Sequence, residues 1–149
     1  MMLLGMSTVG LQTGVALAKP VIHHAHAAHG KVKAYLYLTV VGSGLKLGSD
    51  GKTHDTYLPG DFTLEKGVPT EIVIANYDEG PHTLTSSTLG INISVKPRRA
   101  QGVAGITTAV VTANKTGVFD WTCNDPCDAK AGGWAMGQQG YMQGKITVQ

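Results

Sequence analysis

The sequence predicts an all-β protein, an antiparallel Greek-key β-sandwich of seven to eight strands. Three observations predict it. Short apolar, β-branched runs recur along the chain, punctuated by clusters of Gly, Pro, Asn and Asp. After Lys31 no segment carries a helical stripe of any length. Hydrophobic residues make up 42% of the 149 positions and charged residues 15%, which suits a single domain with a real core and not a disordered chain.

The first strand is the clearest. Val32, Ala34, Leu36, Leu38 and Val40 alternate with Lys33, Tyr35, Tyr37 and Thr39, the period of a strand with one buried face. A Gly-rich stretch, Gly42 to Gly51, reads as a turn region. Further strands are expected at Phe62–Glu65, Glu71–Ala75, Thr83–Ser86, Ile91–Val95, Thr107–Thr112, Gly117–Thr122 and Gly144–Val148. Between them lie Pro59-Gly60-Asp61, Lys66-Gly67, Asp78-Glu79-Gly80-Pro81 and Asn114-Lys115-Thr116-Gly117, all turn-forming. Regular spacing of this kind is the mark of a sandwich. The stretch from Asn124 to Gln143 has no strand pattern, and loops of that length are more often functional than idle.

Ahead of the sandwich lie two segments of different character. Residues 1–18 carry no charged side chain and end in Ala16-Leu17-Ala18, the small-x-small pattern of a secretory signal. That span is too short and too polar for a membrane helix of about 20 apolar residues. Residues 19–30 are expected to be a flexible leader; they contain His23, His24, His26 and His29, imidazoles that suit copper or zinc. The domain proper is 31–149. An exported protein, periplasmic or extracellular, follows from this organisation.

Several function classes are excluded. A net charge of +2, from 12 Lys and Arg against 10 Asp and Glu, gives no basic face for nucleic acid. Neither Gly-x-Ser-x-Gly nor His-Glu-x-x-His occurs, and no phosphate-cradling Gly loop precedes a helix. Two Cys cannot build a multi-disulfide scaffold.

Three segments can do chemistry, each at or beside a strand end. Asn76-Tyr77-Asp78-Glu79-Gly80-Pro81-His82 supplies an imidazole. Cys123-Asn124-Asp125-Pro126-Cys127 supplies thiols, and Gly140-Tyr141-Met142-Gln143-Gly144-Lys145-Ile146-Thr147-Val148 a thioether. Soft sulfur donors with imidazole select copper, and a weak axial Met is their usual complement in electron-transfer sites. A disulfide between Cys123 and Cys127 is the competing reading for an exported chain with two nearby Cys.

Taken together these segments resemble the cupredoxins, the family of plastocyanin, azurin and the copper domain of cytochrome oxidase subunit two. Asn76 to His82 is similar to the Asn-x-Asp segment before that family's first His ligand. Gly117-Val118-Phe119-Asp120-Trp121-Thr122-Cys123 resembles the strand that leads to its Cys ligand, and Met142 to Val148 the segment after its axial Met. The resemblance covers Lys31 to Gln149 and implies a copper cofactor held by His82, Cys123, Cys127 and Met142, with Met136 the substitute axial donor. It departs from the family where a second His is expected, for Pro126-Cys127 stands there and no His follows His82. The oxidase's binuclear centre matches Cys123 and Cys127, but its next two ligand positions hold Ala131 and Trp134.

Three arrangements therefore stay open: one copper on the four named residues, two coppers completed by the leader or a partner, or a disulfide without metal. The leading expectation is an electron carrier, not an enzyme. It would be a monomer that serves a redox protein partner or terminal oxidase and meets a membrane only through that partner or an uncleaved N-terminal segment. The alternatives are a copper(I) scavenger or chaperone delivering metal to an oxidase, and a metal-free module. Asp125 and Asp128 are expected to cap turns more than to coordinate or orient. Trp134 is expected to cover the loop's apolar underside. Lys96-Pro97-Arg98-Arg99 reads as a solvated loop that could also steer an acidic partner.

Overall fold

A computed structural model describes residues 31–149. Residues 1–18, expected as a secretory signal, and 19–30, expected as a His-rich leader, lie outside the described residues. Among the described residues nine strands form two sheets: β1 (Ala34–Leu47), β2 (Thr53–Leu58), β3 (Phe62–Leu64), β4 (Thr70–Asn76), β5 (His82–Ser86), β6 (Ile91–Val95), β7 (Gly105–Val111), β8 (Gly117–Thr122) and β9 (Gln143–Val148). One sheet has the order β2-β1-β4-β7 and the other β3-β9-β8-β5-β6. The expected β-sandwich is therefore present. Most neighbours are antiparallel, while β1–β4 and β3–β9 run parallel.

The core lies between the sheets and follows the alternation read from the sequence. Ile72 and Ile74 of β4 meet Leu38 and Val40 of β1, with Leu84, Ile93, Ile146 and Val148 from the opposite sheet. In β5 the same period turns His82, Leu84 and Ser86 inward. An imidazole is thereby carried into the interior by strand geometry alone.

Two elements differ from expectation. The Gly42–Gly51 stretch is not all turn, because β1 continues to Leu47 and slips register against β2 between Val41 and Lys46. A bulge of this kind bends a strand without ending it. The ninth strand, β2, has no signature in the sequence. Its four central residues, His54, Asp55, Thr56 and Tyr57, are all buried. Period-two alternation vanishes when both faces are covered, and three of the four side chains are polar.

Close approach at the base of the β8–β9 hairpin depends on glycine. A Cβ on Gly144 would meet the carbonyl oxygen of Gly60 at 2.1 Å and the indole Nε1 of Trp121 at 2.7 Å. That indole N–H donates to the same Gly60 carbonyl at 2.8 Å. Trp121, 1% exposed, also packs edge-on to Tyr57, with centroids 4.9 Å apart. These contacts fix the end of β8 from which the next residue, Cys123, emerges.

Candidate metal centre

His82 opens β5, Cys123 follows β8, and Cys127 lies four residues further on. The Cys123 N–H donates to the carbonyl of Met142 at 2.8 Å, so the β8–β9 ladder continues one step past the strand. A turn then brings the Cys127 N–H to the carbonyl of Asp125 at 2.7 Å. Three donor atoms converge as a result. His82 Nδ1 is 2.9 Å from Cys127 Sγ and 3.9 Å from Cys123 Sγ, and the sulfurs are 2.7 Å apart. Both thiols are free, and all three residues are buried.

Each donor is oriented by its surroundings. Nε2 of His82 donates to Asp78 Oδ2 at 3.1 Å, which leaves Nδ1 directed at the sulfurs. Asp78 is fixed in turn, since it accepts the Gly80 N–H at 3.0 Å and its own N–H donates to Asn76 Oδ1 at 2.8 Å. A carboxylate behind a ligating imidazole sets its tautomer and raises its basicity. Cys123 Sγ accepts the Thr83 N–H at 3.4 Å, and the Thr83 hydroxyl accepts the Asn124 N–H at 2.7 Å. Tyr57 closes the floor, its hydroxyl donating to the Thr83 carbonyl at 3.0 Å.

The electrostatics favour one thiolate beside one thiol. Contact with the Cys127 thiol holds Cys123 well below the ordinary thiol range against the cost of burial, and His82 and the Thr83 N–H add to the effect. The same contact, with burial, pushes Cys127 up. Burial lowers His82, but the Cys123 sulfur and Asp78 outweigh it and leave the imidazole above its ordinary value. A soft cation replacing the shared proton would suit both sulfurs.

Of the residues singled out in the sequence, the structure brings His82, Cys123 and Cys127 together. Met142 is buried, its carbonyl on Cys123 and its N–H donating to the Ala135 carbonyl at 3.3 Å. Met136 lies in the 3-10 turn Trp134–Gly137, half-buried against the core. Asp125 is half-buried at the rim. Arg98 of the basic cluster pairs with Glu79 at 3.4 Å.

Asp128 does more than the expected turn capping. Its φ is +60°, a left-handed conformation uncommon outside Gly, Asn and Asp. Its N–H donates to Asp55 Oδ2 at 2.7 Å, and its Oδ2 accepts the Ala135 N–H at 2.9 Å. His54 Nδ1 donates to that Oδ2 at 2.9 Å while His54 Nε2 donates to Asp50 Oδ1 at 2.8 Å. Trp134 stacks on the His54 ring at 4.2 Å between centroids. The residue after Cys127 is thus tied to β2 and to the loop that returns to Met142. Nothing local in the sequence signals this, because His54 and Asp128 are 74 positions apart.

No family model and no curated protein matches the sequence. Solved structures do match. A copper-binding protein whose apo form was determined by NMR is 18% identical with a TM-score of 0.51, over 81% of this chain and 93% of that one. A multi-copper oxidase from Pseudomonas Thermotolerans is 13% identical with a TM-score of 0.55, over 80% of this chain and 30% of that one. Copper nitrite reductase from Nitrosomonas europaea is 20% identical with a TM-score of 0.53, over 78% of this chain and 42% of that one. The chain spans less than half the length of the two enzymes. What these likenesses establish is the fold, which is cupredoxin-like, as the sequence resemblance implies.

Proposed function

We propose that this chain is an exported copper protein of cupredoxin type that carries single electrons, a carrier and not an enzyme. One copper would be held by His82, Cys123 and Cys127, with the Met142 thioether as a further donor. The observation that carries the reading is the preformed, buried cluster of one imidazole and two thiols, whose ligating atoms all lie within 4.8 Å of one another. Copper bound there would supply the one-electron couple. The chain's own part is to keep the donors still. Asp78 locks the His82 ring, and the Thr83 N–H fixes the Cys123 sulfur. A donor set that does not move between oxidation states keeps reorganisation small, and hydrogen bonds to the Cys sulfur tune the potential. The partner is a redox protein or a terminal oxidase.

A second reading is copper(I) storage and delivery to an oxidase. It is favoured by the second thiol, which replaces the expected imidazole, and by a cleft that reaches His82 and Cys127. Copper(II) titration of the reduced chain, with metal analysis and visible spectra, separates the two. The carrier shows an intense charge-transfer band that bleaches on reduction and returns on oxidation. Cys123→Ser abolishes that band, and His82→Ala weakens binding greatly. Tight copper(I) binding without the band selects delivery. A chain lighter by two hydrogens that binds no metal overturns both.

A further inference from the structure

We infer that copper enters and leaves through an acidic cleft at the end of the sandwich, and that Lys130 opposes this traffic. The inference rests on the copper reading above. The cleft, about 230 Å³, lies between the loop before His82 and the loop after Cys123. Two of the three donors, His82 at 2% and Cys127 at 6% exposure, form part of its wall. Cys123 does not line it, and its sulfur instead accepts the Thr83 N–H. The cleft thus joins two of the donors to solvent.

Its carboxylates outnumber its cations. Asp55, Asp78, Glu79, Asp125 and Asp128 line it with Lys130 and His82, while Asp128 is paired with His54 and Glu79 also with Arg98. Low-dielectric walls of one sign concentrate a counter-ion and raise its rate of arrival. The chain as a whole carries +2, so this local field runs against the net charge. Across the mouth, Lys130 Nζ donates to Glu79 Oε1 at 2.5 Å, joining the two loops. That ammonium, 74% exposed, neutralises one wall carboxylate and repels an arriving cation.

The test is the rate of copper uptake by the full-length, reduced apo chain, measured by stopped flow with copper(I) supplied as its acetonitrile complex. Absorbance from thiolate to metal reports binding directly. At low ionic strength Asp125→Asn should load about threefold more slowly and Lys130→Gln about threefold faster than the parent. Both differences should shrink in 0.5 M salt, where screening is short-ranged. Final stoichiometry should equal the parent's in both. Equal rates for all three proteins at low salt, with unchanged stoichiometry, would overturn the route and leave the copper reading standing. A parent chain that takes up no copper would remove both. Lys130 is exposed, so its variant keeps the test decisive even if the Asp125 substitution disturbs the loop.

Discussion

Asp128 and His54 meet at 2.9 Å, carboxylate oxygen to ring nitrogen, with neither side chain reached by solvent. The pair couples β2 to the residue that follows Cys127, so the placement of one thiol depends on a strand that contributes no donor. Asp128→Ala would strand the His54 and Ala135 N–H groups. Breaking a buried pair in this way costs about 3 kcal/mol. The expected result is a lower denaturant midpoint with an unchanged slope. A midpoint equal to the parent's would show that the clasp is dispensable.

His54 also gives a pH dependence. Both of its ring nitrogens donate to carboxylates, the geometry of an imidazolium. The bond to Asp50, then that to Asp128, outweighs burial and holds His54 above its ordinary value. A raised folded value means that the stabilisation is complete below the unfolded value of about 6.5 and is lost as pH climbs through the folded one. Unfolding free energies of the parent and His54→Gln, measured from pH 5 upward, should therefore converge as pH rises. His82 contributes equally to both chains and cancels. A gap that widens with pH would contradict the assignment.

The carboxylate behind His82 should matter to metal affinity more than to the fold. Asp78→Asn keeps the side chain's size but weakens the acceptor for Nε2–H. Losing such a partner typically costs 10- to 100-fold in affinity. Competition against a copper(I) chelator measures this directly, and an affinity within twofold of the parent would deny Asp78 the role.

Gly144→Ala tests the close approach under the hairpin. The new methyl would press on the Gly60 carbonyl, a backbone atom, and on the Trp121 indole that is bonded to it. Overpacking of this sort costs about 1–3 kcal/mol. Thermal unfolding should show a clear drop in midpoint, and an unshifted midpoint would mean that the hairpin base yields.

Much of this molecule is legible in its sequence, and the exceptions have physical causes. The alternation of Ala34 to Val40 and the pattern of Ile91 to Val95 announce strands because one face of each is wet or half-wet. His54 to Tyr57 announce nothing, since a strand buried on both faces and rich in polar groups resembles a loop. Gly42 to Gly51 suggests a turn, yet β1 runs through half of it by way of a register slip. His82, Cys123 and Cys127 stand out by donor type and order along the chain, and the structure gathers them. Asp128 and Trp134 are visible only as a turn residue and an apolar cover. Their contacts with His54 are made across 74 and 80 positions, a pairing that no local pattern encodes.

X-ray absorption at the copper edge of the metal-loaded chain tests the central claim most directly. The account predicts a copper neighboured by two thiolate sulfurs, the Met142 thioether and one imidazole nitrogen, with one sulfur lost in Cys127→Ser. A copper surrounded by oxygen and nitrogen alone, with both thiols still reactive toward a thiol reagent, would contradict it.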